Sequence, residues 1–124
     1  MRRAFACAAA LMALAAAAAS AQTQLEMNER AGSGLRQAEA RMDAVYAKVL
    51  ARISDSGKEH LQSAQETWLR FRDQECEFET MGTKGGSIHP MVVAECRRRL
   101  TDQRIKDLEA QATCQEGNVS CGGQ

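Results

Sequence analysis

From about Thr23 to Ile53 apolar residues return at three- and four-residue steps: Leu35, Met42, Val45, Val49 and Ile53, with Tyr46 and Leu50 beside them. That period is one face of an α-helix. Gly32 and Gly34 weaken its early part, each costing ~1 kcal/mol relative to Ala, which predicts a kink, fraying or a late start there. Ser54-Asp55-Ser56-Gly57 reads as a turn, and Ser56 followed by Glu59 makes a capping box for a second helix. That helix is expected from about Lys58 to Met81, with Leu61, Ala64, Trp68, Phe71 and Glu75 on one face and Leu69, Cys76 and Phe78 alongside. A Gly-rich break, Gly82-Thr83-Lys84-Gly85-Gly86-Ser87, ends it, and Pro90 at a first helical position starts a third. Val92, Val93, Cys96, Leu100 and Leu108 give the third helix its apolar side to about Ala112, with Arg104 interrupting the stripe. No strand alternation competes. The pattern predicts an all-α fold: a small antiparallel three-helix bundle whose last two helices form a hairpin.

The first residues belong to a different pattern. Met1-Arg2-Arg3 is basic, Ala4 to Ala18 is apolar, and Ala19-Ser20-Ala21 is an A-x-A cleavage site, the three parts of a signal peptide. A transmembrane anchor fits poorly, because the run is short, nearly all Ala and broken at Ser20. The chain is therefore expected to divide into a signal peptide (1–21), a helical domain (22–113) and a flexible polar tail with a local disulfide (114–124), in a periplasmic or secreted protein without a stable membrane anchor. Removal of residues 1–21 leaves 103 residues with 14 basic and 16 acidic side chains. A slightly negative chain lacks the basic footprint that nucleic acid requires.

Export changes the meaning of the cysteines. Cys76, Cys96, Cys114 and Cys121 survive cleavage, and an even count in an exported chain reads as two disulfides, with three formal connectivities. Cys76 lies six residues before Gly82 and Cys96 six after Pro90, so at ~1.5 Å rise per residue each sits ~9 Å from the turn. That symmetry favours Cys76–Cys96, leaving Cys114 and Cys121 to close a small tail loop. No CxxC pair or nearby His stands at zinc-ligand spacing, and no metal or cofactor is expected.

The same counting places polar residues. Across the break Trp68 meets Arg104; across the first turn Glu39 nears Arg72 and Asp43 nears Trp68. Glu39, Asp43, Arg72, Asp73 and Arg104 then form a belt around the indole, which reads as ion pairs fixing helix register. An Arg over the indole face contributes ~0.5–2 kcal/mol. The break, clamped at its base, reads either as a rigid presentation of Thr83, Lys84, Ser87 and His89 or as a flexible connector, and Glu75, Glu77 and Glu79 either as acids for a basic partner or as a solvated face. Lys84 precedes Gly85-Gly86 and no strand leads in, so the break is not a Walker loop. His60 and His89 lie on separate segments and no G-x-S-x-G is present, so no catalytic residues are assigned.

Ala64-Gln65-x-x-Trp68-x-x-Phe71-Arg72-Asp73-x-x-Cys76, then Gly85-Gly86-Ser87-Ile88-x-Pro90-Met91, Cys96 and Thr101-x-x-Arg104-x-x-x-Leu108 together form a recognisable block. It resembles the LprI-like N-terminal domain, an exported bacterial family named after a mycobacterial lysozyme inhibitor. Thr23-Gln24-x-x-Met27-Asn28-Glu29 and Met42-Asp43-x-x-Tyr46 also fit. Arg30 stands where that family commonly has a cysteine after Asn-Glu, so the family's N-terminal disulfide is absent here. The resemblance implies a small helical domain with Gln65, Trp68, Arg72, Asp73, Arg104 and Leu108 as its structural motif. It also implies a protein partner, with lysozyme the expected one. The expectation is a non-enzymatic binding protein that inhibits a lysozyme. The rival is an envelope interaction or structural module with a different protein partner.

Overall fold

The computed structural model describes the backbone of residues 2–115 and 117–123, and side chains from residue 21 onward within those limits. Of the expected signal peptide, Met1 lies outside the described residues, and only the helical backbone of 2–20 is described. Three helices make up the fold: α1 (Arg2–Leu50), α2 (Asp55–Glu79) and α3 (His89–Ala112), with a 3-10 turn at Met81–Thr83 between the last two. No strand occurs among the described residues.

Lateral ties give the register. Asn28 bonds the Ser87 carbonyl, Arg41 bonds Asp102, and Arg52 bonds the Cys114 carbonyl, at sequence separations of 59, 61 and 62. A nearly constant offset means that α1 and α3 run parallel, with α2 antiparallel to both. The parallel pair packs closest. Its seam is built from Ala38, Met42, Val45 and Val49 against Ala94, Thr101, Ile105 and Leu108, all buried. Small residues let the backbones approach where Ala38 meets this seam, and Met42, Val45, Val49, Ile105 and Leu108 form the apolar cluster beyond it.

Gly32 and Gly34 do not break α1, which is helical throughout. The reason is tertiary: a Cβ at Gly34 would stand 3.4 Å from Arg98 Cδ of α3. The glycine's helix penalty is offset by letting the α3 arginine stem lie across it.

The cap of α2 differs from expectation. Ser54, not Ser56, is the N-cap, with Gly57 N–H donating to Ser54 Oγ at 3.1 Å. Ser56 lies inside the helix, so α2 runs from 55 to 79 instead of 58 to 81. Its inward face differs too. Gln65, Arg72 and Cys76 are buried, with Leu61, Trp68 and Leu69 half-buried, whereas Phe71 and Phe78 are 51% and 70% exposed and Ala64 is exposed. The Cys76–Cys96 disulfide, with its Cα atoms 5.7 Å apart, turns Cys76 toward α3. At 3.6 residues per turn that rotation sends Phe71 and Phe78 to the far side.

The second disulfide, Cys114–Cys121, closes the tail loop as expected. The tail is hydrogen-bonded back onto the α1–α2 turn: Ser54 N–H and Oγ–H both donate to the Gly123 carbonyl (2.8 and 3.0 Å), and Gly122 N–H donates to Gln111 Oε1 at 2.8 Å. Gly57 is needed for that approach, since a Cβ there would lie 2.6 Å from the Gly123 oxygen.

Candidate functional site

Two groups of polar residues have to be told apart. The first surrounds Trp68. Arg72 and Arg104 both stand over its ring, their guanidinium carbons 5.6 and 5.7 Å from the centroid. Arg72 is 6% exposed. It donates to Glu39 Oε1 (2.9 Å), Thr101 Oγ1 (3.2 Å) and Asp73 Oδ1 (3.1 Å), and Asp73 also lies 3.2 Å from Arg97 Nε. Arg104 Nε donates to Gln65 Oε1 at 3.0 Å, and Gln65 in turn donates to Met42 Sδ. Burial lowers the pKa of Arg104, and the nearby Asp107 and Tyr46 oppose that shift. Burial raises the Tyr46 phenol, Glu66 adds to the rise and Arg104 opposes it.

The expected pairings of Trp68 with Arg104 and of Glu39 with Arg72 are present. Asp43, expected beside the indole, is exposed instead and lines a surface groove with Gln62 and Glu66. Most of the polar groups around the ring bond to one another. A buried cluster of this kind fixes how helices meet. Leu108, the last member of the motif, is fully buried beneath it in the apolar cluster.

The second group is the connection from α2 to α3. Thr80 is buried and its hydroxyl donates to the Cys76 carbonyl at 2.6 Å, so the helix end is tied directly over the disulfide. Thr83 Oγ1 donates to the Thr80 carbonyl (2.8 Å) and lies 2.9 Å from His89 Nδ1. Since the hydroxyl proton is committed to Thr80, His89 Nδ1–H is the donor to Thr83. Gly86 N–H donates to Thr83 and His89 N–H to Gly86, at 3.0 and 3.1 Å. Gly85 adopts φ +83°, a conformation that favours glycine. Asn28 Nδ2 then donates to the Ser87 carbonyl at 3.0 Å, and Gln24 holds Asn28 from one turn away. The loop is thus fastened to all three helices.

This arrangement sorts the expected residues. Thr83 and His89 are half-buried and serve the loop's internal bonds, while Lys84 and Ser87 are exposed. No ion pair involves Lys84 among the described residues. Glu79 is engaged, accepting from Arg99 Nη2 at 2.7 Å. Glu75 and Glu77 make no ion pair among the described residues and fall on different sides of α2, because alternate helical positions diverge. Glu77 shares a recess of about 270 Å³ with Lys84, Met81 and His89.

Asn28 and Thr80 were not singled out by sequence reasoning. Asn28 lay within the quoted Met27-Asn28-Glu29 string but nothing local marked its side chain. Thr80 directly precedes the expected helix end, where a hydroxyl bonding back one turn is common. The exposure of several apolar side chains was also not foreseen, since the periodicity places Phe71 and Phe78 on the packed side of α2: Leu25, Met27, Phe71, Phe78, Met81 and Ile88 all belong to the loop half of the bundle or the segment of α1 that meets it. No group of three or more metal-ligating side chains occurs among the described residues, and no helix among them is long and apolar enough to cross a membrane. The arrangement is suited to presenting a surface.

A family model described as "Lysozyme inhibitor LprI" matches residues 15–108, a span that holds the Trp68 cluster, the loop and Cys76–Cys96 but stops before Cys114. An uncharacterized protein of Rhizobium meliloti (strain 1021) is 30% identical over 98 residues, covering 68% of this chain and 70% of the relative. No solved structure matches the chain.

Proposed function

Since the chain belongs to the LprI lysozyme inhibitor family, we propose that it is an exported, non-enzymatic protein that inhibits a lysozyme by presenting the loop between α2 and α3 to the enzyme. The family match carries this reading. Residues 1–21, with the pattern of a signal peptide, would direct the chain to the periplasm or beyond, and two disulfides suit an oxidising compartment.

The loop supports the mechanism. Lysozymes work with two carboxylates on the floor of a cleft, and Lys84 is an exposed cation on a loop held at both ends. Lys84 is the group to meet those carboxylates, with Ser87 beside it. Thr83 and His89 keep the loop's shape. Glu75 and Glu77, on different sides of α2, meet basic surface on either flank of the cleft, giving complementary charge that favours fast and selective encounter. Glu79, paired with Arg99, sets the end of α2. Little conformational freedom is lost on binding because the loop is already ordered.

The test is a lysozyme turbidity assay with the processed protein purified from the periplasm, against c-type and g-type enzymes. Inhibition is expected, and Lys84→Ala with Ser87→Ala is expected to weaken it. No inhibition of either enzyme at tens of micromolar removes this reading. In that case a different periplasmic protein, captured equally well by wild type and the double variant, would point to an envelope interaction module.

A further inference from the structure

The apolar side chains that α2 turns outward have no role in the loop contact. Phe71 and Phe78 are seven residues apart, two turns of helix, and so lie on one stripe. They are 51% and 70% exposed, and Met81, just beyond the helix end, is 63% exposed. An aromatic pair at two-turn spacing with a methionine after it is how a helix presents anchors to a partner groove. Aromatic residues and Met are also enriched at the centres of interfaces, where a few of them carry most of the affinity.

We propose that Phe71, Phe78 and Met81 form the apolar anchor of the inhibitory interface, adding a helix-face contact beside the loop. The inference rests on the lysozyme reading above, and its occupant is the same enzyme. Charge layout supports that choice. Lys84 and Met81 border one recess, so the cation stands next to the apolar stripe. Carboxylates Glu75 and Glu77 flank the stripe on opposite sides, free of ion pairs among the described residues. The cation and Glu77 thus share one recess at the end of an apolar stripe, with Glu75 on the stripe's other side, a mixed layout suited to a cleft that carries both acidic and basic groups. Rigidity supports it as well. Cys76 lies between Phe71 and Phe78 on the opposite face of α2 and is bonded to α3, so the stripe is backed by a covalent brace and loses little freedom on binding.

The experiment uses the processed protein and whichever lysozyme the wild type inhibits. Phe78→Ser with Met81→Ser is expected to weaken inhibition by about tenfold or more, and Phe71→Ser by about fivefold. Val119→Ser, an exposed apolar position on the tail, is the control and is expected to stay within about twofold, as peripheral contacts do. Because all four side chains are exposed, helical circular dichroism and monomer mass are expected to match wild type. In the complex Met81 is expected to be protected from peroxide relative to the free protein. Wild-type inhibition by the double variant overturns the anchor and leaves the lysozyme reading standing. A wild type that inhibits no lysozyme overturns both. Self-association that the double variant abolishes overturns the anchor by assigning the stripe to a second copy of the chain.

Discussion

Arg72 is a charged side chain with almost no water around it, and its hydrogen-bond partners come from all three helices: Glu39 on α1, Asp73 on its own helix and Thr101 on α3. Removing one partner of a buried ion pair costs about 3–5 kcal/mol. Glu39 is 36% exposed at the side chain and recovers some water, which puts Arg72→Ala nearer 2–3 kcal/mol. Urea unfolding of the variant should show that loss. Arg72→Lys should restore little of it, since a single ammonium cannot reproduce a planar fork bonded in several directions. The indole environment was readable in part. Counting outward from each turn placed Arg104 against Trp68 and Glu39 near Arg72, because helical rise is the same in every protein. Counting put Arg72 in the belt around the indole but did not stack it over the ring face, nor did it turn Phe71 outward. Those depend on how far α2 is rotated about its axis, and an exposed Phe and a half-buried Trp both read simply as apolar positions in sequence.

Among the elements, α2 shows where local chemistry is ambiguous. Ser54 and Ser56 are both competent caps. What selects Ser54 is distant: its N–H and hydroxyl both donate to Gly123 across 69 residues. The unbroken α1 teaches the same lesson, since Gly34 reads as a weak point until Arg98 is laid over it. Replacing an interior helical glycine by Ala ordinarily stabilises by up to ~1 kcal/mol. At Gly57 the new Cβ would meet the Gly123 carbonyl at 2.6 Å, with backbone on both sides of the contact. Gly57→Ala should therefore leave α2 intact, lift the tail and accelerate hydrogen exchange at the Ser54 amide. Unchanged exchange there would show that the tail does not hold this position in solution. Element boundaries and tail docking were thus the least legible parts of the sequence, whereas three helices, their order and the polar α2–α3 connection were plain from periodicity, glycine and proline.

For the whole molecule the cysteine pairing was the most reliable inference, because bridge geometry demands that two Cα atoms come within about 7 Å and only positions level across a hairpin satisfy it. The Cys76–Cys96 bridge closes a separation of 20 residues, worth ~3 kcal/mol by loop-closure entropy. Against a net stability of about 5–10 kcal/mol for a domain this small, Cys76→Ser with Cys96→Ser should lower the unfolding free energy by about 3 kcal/mol. The double variant should also loosen the loop that Thr80 ties over the bridge, visible as faster proteolysis between Met81 and His89. Loss of the Cys114–Cys121 bridge, with a separation of 7, should matter less. The interior facing α2 has a further effect, on the response to temperature. Where most bundles pack aliphatic side chains, this one packs Gln65, Arg72 and Thr101. Exposed apolar surface raises the heat capacity on unfolding and exposed polar surface lowers it. With so polar a buried seam, the heat-capacity change on unfolding is expected to be small for a chain of this size and the stability curve shallow, which calorimetry would show.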